Sequence, residues 1–368
     1  MTALDRYLAR EILLPFAASV LFLTQVLLAT QILAQADVLL GAGVSFRDLV
    51  SVIGDLIPHF LGYVLPVSFL LGAVLGLGRL TEDREMVALG AAGVSPLRLV
   101  PVPLVLGLAA SVLALWVGLV LEPAGLRDAR LRLNDLIRRN VSRDVQAGVF
   151  FEDIPNFTLY AESTAGGRWS HVLLSDRTDP TAPLLALAQG GHLEPTGAGE
   201  GMELELDQGE IHREELQSDE YFSGHFSAAT ITLGLGAALS DRNRLIGSPF
   251  ELGPREIVAR ARVAKEPETA RRWWTFLHRR IAGPVAIVAF ALLAVPLGMA
   301  HRGGRAFGYT ATLLAVIAYY ALLRLGEGLS SRGTLAAWMG PHLPNVATAL
   351  LGVALVALVE LRGLGTRR

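Results

Sequence analysis

Uncharged apolar runs and polar stretches alternate along this chain in a way that sets its organisation before any motif is considered. Six runs are long enough to cross about 30 Å of hydrocarbon as helices. They are Ile12–Ala36, Leu56–Gly78, Leu99–Leu121, Ile281–Ala300, Ala306–Leu323 and Trp338–Val359. Between the third and the fourth lies a long polar region whose period differs. After EPAGLRDARLRLNDLIRRN, a helical continuation of the third run, come GVFFEDIPNFTLYAES, RWSHVLLSD, APLLALAQGGHLEP, MELELDQGEIHRE and SGHFSAATITLGL. These are short runs of alternating or β-rich character separated by turn clusters, among them Asp-Ile-Pro-Asn and residues 196–201. Strands at that spacing with no helices between them predict an antiparallel sandwich or jelly roll over about residues 140–245. A charged helical connector, ELGPREIVARARVAKEPETARR, returns the chain to the membrane.

The expected fold is therefore a helical membrane protein of three plus three spans with an inserted all-β domain. Residues 1–122 hold spans one to three, residues 123–270 the β-domain with its connectors, and residues 271–368 spans four to six. No short apolar core with a cleavable small-residue end precedes the first run, so it is read as a retained span.

The segment RLTEDREMVALGAAGVSPLR, between the second and third runs, is the most informative polar stretch. It is too short to be anything but a membrane-surface element. Good helix formers from Leu80 onward, Thr81 as N-cap, and Gly90, Gly93 and Pro96 as stops predict one amphipathic helix over about 80–92, or about three turns. Glu82 and Glu85 would share a face, with Arg84 between them and Met86 and Leu89 beside them. Such a helix offers a carboxylate and two apolar knobs to a neighbour; the alternative is a solvated loop whose charges exclude it from lipid.

Composition adjusts this picture in three places. At 52% hydrophobic and 18% charged residues, the chain is too apolar for a soluble protein and too charged to be wholly embedded. A net charge of −2 gives no basic surplus for nucleic acid. Cysteine is absent, which removes disulfides, thiol catalysis and Cys-ligated metal sites. Arginine placement favours cytoplasmic termini: Arg6, Arg10, Arg79, Arg84, Arg98, Arg302, Arg305, Arg362, Arg367 and Arg368 fall on one side, against Arg47, Arg324 and Arg332 on the other. Arg127, Arg130, Arg132, Arg271, Arg272, Arg279 and Arg280 then flank the membrane on the outer side and need a reason of their own.

Most catalytic chemistry is missing. The one lysine, Lys265, lies between Ala264 and Glu266, so there is no G-x-x-x-x-G-K-[ST] loop to cradle ATP. No H-E-x-x-H or G-x-S-x-G occurs, and the eight histidines are scattered. His59, inside the second apolar run, reads as an interhelical hydrogen-bonding group. No acid sits in the middle of a span, which argues against ion-coupled transport. Neither a catalytic site nor a bound cofactor is expected, and energy for any work must come from a partner. Thr24, Gln25 and Gln31 are polar groups in the first span, suited to a helix neighbour or a substrate-lined face. Tyr319, Tyr320 and Arg324 read as an aromatic belt with a snorkelling arginine, and Glu327 lies one turn on from Arg324.

The layout and several motifs resemble the LptF/LptG family of lipopolysaccharide-export permeases along nearly the whole chain, with a lean toward LptF. DRYLAREILLPF is similar to that family's N-terminal signature, LPVSFLLGAVLGLGRLTEDREMVALGAAGVSP to its second span and coupling helix, FLHRRIAGPVAIVAFALLAVPLG to its fourth span, and GVFFEDIPNFTLYAE to the first strands of its jelly roll. The resemblance implies a permease subunit of the bacterial inner membrane with its β-domain in the periplasm. It also implies a paralogous permease subunit, a cytoplasmic ABC ATPase dimer holding the ATP and magnesium, and a bitopic periplasmic protein that receives the lipid. Lipopolysaccharide would enter sideways between spans one and five, where Thr24, Gln25, Gln31, Tyr319 and Tyr320 would line the gate. Glu85 matches the coupling carboxylate, and Arg127, Arg130, Arg132 and Arg324 become candidate contacts for lipid A phosphates, for which bidentate arginine is well suited. Composition and pattern alone leave open a permease for another lipid, a mechanical signal transmitter, or a membrane-anchored envelope scaffold.

Overall fold

The computed structural model describes residues 2–34, 46–132, 147–152, 156–179, 181–195, 202–215, 220–233, 248–300 and 304–362. Asp37, Asp135, Arg302, Arg367, Arg368 and the turn cluster at 196–201 lie outside the described residues. The chain divides into two compact units. One comprises Met1–Leu33, Leu56–Gly125 and Leu252–Arg368; the other comprises Ala34–Asp55 and Leu126–Glu251.

The first unit is helical. The helices of the chain are α1 (Ala3–Ala34), α2 (Phe46–Glu82), α3 (Glu85–Ala91), α4 (Pro101–Trp116), α5 (Pro254–Val263), α6 (Pro267–Met299), α7 (Gly304–Ser331) and α8 (Met339–Arg362), of which Ala34 and residues 46–55 fall in the second unit. Six helical segments are long and apolar enough to cross a membrane, the third running from Pro96 to Arg132 through α4 and a π-helical turn at Val117–Leu121. The helices overrun the uncharged runs: α2 begins ten residues before Leu56, at Phe46, and α6 fourteen residues before Ile281, at Pro267. Arg271 and Arg272 are good helix formers that continue the backbone pattern outside hydrocarbon, and Asp48 lies in the first turn of α2, where a carboxylate suits the helix N-terminus. Hydropathy thus marks the membrane, and capping marks the helix; at α5, Glu256 accepts a 2.7 Å hydrogen bond from the Gly253 N–H.

Packing is centred on α2 and α6, the two most buried spans. Phe69, Ala73, Ala286, Phe290 and Ala294 occupy the middle of one apolar cluster, and Leu8, Leu77, Leu80, Leu99 and Val295 a second. Helices approach closely where glycine removes the Cβ. A Cβ on Gly72 would sit 2.5 Å from the Phe16 backbone, one on Gly76 would strike the Glu11 carbonyl, and Gly326 and Gly340 meet backbone to backbone between α7 and α8.

The second unit carries an antiparallel sheet of six strands in chain order: β1 (Phe150–Phe151), β2 (Phe157–Ala165), β3 (Arg168–Asp176), β4 (Leu184–Pro195), β5 (Met202–Glu215) and β6 (Glu220–Leu233). The expected all-β domain is present, and its described strands are joined as a meander. Alternation along the strands places Leu159, Ala161, Val172, Leu174, Ala186, Leu204 and Leu206 in one buried cluster. Toward the β5–β6 side that apolar face is only partly covered, at Ile211, Phe226, Ala229 and Ile231.

Candidate functional site

The surface segment between the second and third spans differs from the single helix its sequence predicts. α2 continues through Thr81 to Glu82, Arg84 turns the chain in a left-handed conformation (φ 60°), and a separate two-turn helix, α3, starts at Glu85. Thr81 is therefore no N-cap: its hydroxyl donates to the carbonyls of Leu77 and Gly298, tying α2 to α6. The left-handed residue at the α2 C-terminus satisfies the usual geometry of a helix stop, so the first helix ends there despite its good formers. α3 ends at Ala91, and Gly93 (φ 80°), one of the predicted stops, follows its C-cap, with the Val94 N–H donating to the Leu89 carbonyl in a Schellman closure; Gly90 lies within the helix.

Because of that corner, Glu82 and Glu85 belong to different helices. Met86 is 1% exposed and packs with Leu8, Leu80, Leu99 and Val102, while Leu89 is half-buried against the same cluster. Met86 anchors α3 to the spans beneath it, so the apolar side of α3 faces its own molecule. Arg84 is exposed. Glu85 is half-exposed, and its Oε2 accepts a 2.7 Å hydrogen bond from the Tyr7 hydroxyl of α1. Among the described residues its other oxygen has no partner, which leaves it open to a cation.

Of the arginines that follow the third span, Arg130 forms an ion pair of 3.1 Å with Glu251, Arg127 donates to the Glu251 carbonyl at 3.5 Å, and Arg132 pairs with Asp55 at 2.6 Å. All of these groups lie in the second unit. In the first, Arg324 lies 3.3 Å from Glu327, which also pairs with Arg279 at 3.0 Å. Arg324 remains largely exposed, whereas Arg279 is mostly covered. In α1, Gln25 is exposed and Gln31 half-buried, and the Thr24 hydroxyl is buried with no partner among the described residues. Tyr319 is 2% exposed; its hydroxyl donates to Asn345 Oδ1 at 2.8 Å, and Asn345 Nδ2 donates to the Ala282 carbonyl at 3.0 Å. That chain of bonds joins α6, α7 and α8, so Tyr319 holds three spans together rather than belting an interface. Tyr320, stacked edge-on against it at 5.4 Å, keeps some accessible surface.

The structure also assembles a buried charge cluster that the sequence did not reveal. Glu122 (5% exposed) lies 2.8 Å from Nδ1 of His59 (5%) and 3.4 Å from Arg280 (6%). Arg280 also donates to the carbonyls of Gly118 and Leu252 at 2.8 and 2.6 Å. The π-helical turn at Val117–Leu121 supports this contact, because its widened register disturbs the regular carbonyl ladder next to Glu122. His59 is the interhelical hydrogen-bonding group that its place in an apolar run implies. Glu122 and Arg280 gave one signal, their position flush against the ends of the third and fourth uncharged runs. Nothing in the sequence showed that those two ends meet.

No group of three or more metal-ligating side chains exists among the described residues. The geometry presents anchored helices, a carboxylate held at a surface, and a sheet with a partly open apolar face. Comparison with curated proteins finds no match. The family model for the lipopolysaccharide export system permease LptF/LptG matches residues 6–357, nearly the whole chain, including the α2–α3 corner, the β-domain and all six spans. Spans, inserted sheet and family match agree, and the chain belongs to the LptF/LptG family of lipopolysaccharide export permeases, multi-pass proteins of the inner membrane.

Proposed function

We propose that this chain is the membrane subunit of an ATP-driven exporter, receiving its power stroke through Glu85 from a separate ABC ATPase dimer on the cytoplasmic side. The observation that carries this is the corner itself: a carboxylate fixed at the start of a two-turn helix that Met86 anchors to the spans. The chain has no nucleotide-binding loop of its own, so ATP and magnesium belong to the partner. A push on α3 is transmitted without slack because its apolar side is buried and close-packed.

Arginine distribution supports cytoplasmic N- and C-termini and a periplasmic β-domain. In this arrangement a paralogous permease pairs with the chain in the inner membrane, and lipopolysaccharide enters between spans one and five. It then moves to the apolar face of the sheet, where Ile211, Phe226 and Ile231 remain partly uncovered. A bitopic periplasmic partner extends the sheet by strand addition at its edge.

Reversing the charge at Glu85 tests the reading. Glu85→Lys places a cation where a basic ATPase residue would dock, and export is expected to stop while the protein remains inserted and folded. Normal delivery of lipopolysaccharide to the cell surface by that variant would sink the assignment.

A further inference from the structure

Three polar ties join the start of α1 to the corner that carries Glu85. The Tyr7 hydroxyl donates to Glu85 Oε2 at 2.7 Å. Arg98 lies 2.8 Å from Asp5 Oδ1 and donates to the Thr2 hydroxyl at 3.2 Å. Arg79 lies 3.4 Å from Glu11 Oε2. Beneath them Leu8 and Ile12 are fully buried, and the Gly72 and Gly76 contacts press α2 against the backbone of α1. The first turns of α1 and the corner are thus held together both at the surface and below it.

The chemistry of the ties differs in a way that matters. Asp5 and Glu11 face arginines, which offset their charge. Glu85 is held by a neutral hydroxyl on a rigid ring, which fixes one oxygen and leaves the full negative charge in place. A tyrosine has two rotatable side-chain bonds, so it orders the flexible glutamate at small entropic cost. A carboxylate that must meet an incoming cation needs this combination of fixed position and retained charge.

We propose that Tyr7 is the positioning residue that locks Glu85 to α1, so that displacement of α3 passes directly into the first span, which carries Thr24, Gln25 and Gln31. This rests on the reading of Glu85 as the coupling carboxylate. Motion at the cytoplasmic surface then reaches span one through a side-chain contact, independently of the chain path through α2.

The test uses the whole exporter, purified with its ATPase from native membranes into lipid discs containing lipopolysaccharide. Tyr7→Phe removes one oxygen from a partly exposed ring and leaves the packing intact. Lipid released per ATP hydrolysed is expected to fall about tenfold, the scale of one lost hydrogen bond to a charged group. Normalising to ATP hydrolysed removes any difference in protein amount. The chain has no cysteine, so Leu14→Cys and Val87→Cys allow spin labels on α1 and α3 without background. In the otherwise native chain the distance distribution stays narrow and insensitive to nucleotide; in Tyr7→Phe it broadens when ATP binds. Unchanged lipid release per ATP, or a distribution that Tyr7→Phe does not alter, overturns the proposal while leaving the Glu85 assignment standing if Glu85→Lys still abolishes export. Normal export by Glu85→Lys overturns both.

Discussion

Glu122, Arg280 and His59 show how strongly single residues are constrained in the helical unit. Each is almost fully buried, and each finds its partners on a different helix. A buried ion pair adds little net stability over a well-packed apolar pair, but removing one member strands the other in a medium that cannot solvate it. Glu122→Leu or Arg280→Met alone is therefore expected to destabilise the protein by about 3–5 kcal/mol. The double variant Glu122→Leu/Arg280→Met should recover most of that loss. Thermal unfolding in detergent, followed by retention of monodisperse protein, reads the difference; a double variant no better than the worse single would refute the pairing. Tyr7 and Glu85 follow another logic. Their contact is partly exposed, so its value lies in orientation more than in stability.

The elements were legible to different degrees. Six spans follow from length and hydropathy because a bilayer demands about 20 apolar residues per helix, and that demand is written locally. The α2–α3 corner was not legible in that way. Every residue from Leu80 to Leu89 accepts helical geometry, yet the chain turns at Arg84, and the separate helix that follows carries Met86 into the buried cluster with Leu8, Leu80 and Leu99. Helix contacts depend on glycine in the same local fashion. Gly72→Val should force α1 from α2 at a cost of about 1–3 kcal/mol or more, and Gly340→Leu should do the same between α7 and α8. Cysteine pairs across each contact, with oxidative cross-linking scored on gels, check this: linking that persists undiminished in the glycine variants would contradict the close approach.

At the scale of the molecule, the sheet provides an apolar face whose cover thins from β2 toward β6. Export of a lipid through water requires such a face, since each exposed methylene of an acyl chain costs about 0.8 kcal/mol. Photo-crosslinking residues at Ile211 and Phe226 are expected to trap lipopolysaccharide during ATP-driven transport. The same probes at Glu162 and His171, which are solvent-exposed, should not. Trapping confined to the exposed positions would place the lipid on the other side of the sheet.

The sequence by itself determined the six spans and the inserted β-domain, because each depends on neighbours along the chain. Tertiary structure alone decided that Met86 is an anchor, that Tyr319 ties three helices, that Tyr7 holds Glu85, and that Glu122 meets Arg280 and His59. Those facts depend on which helices become neighbours, and close packing selects the neighbours by fitting whole faces together, with glycine and buried charge as the final discriminators. A linear pattern shows which face is apolar; it does not show what that face will touch.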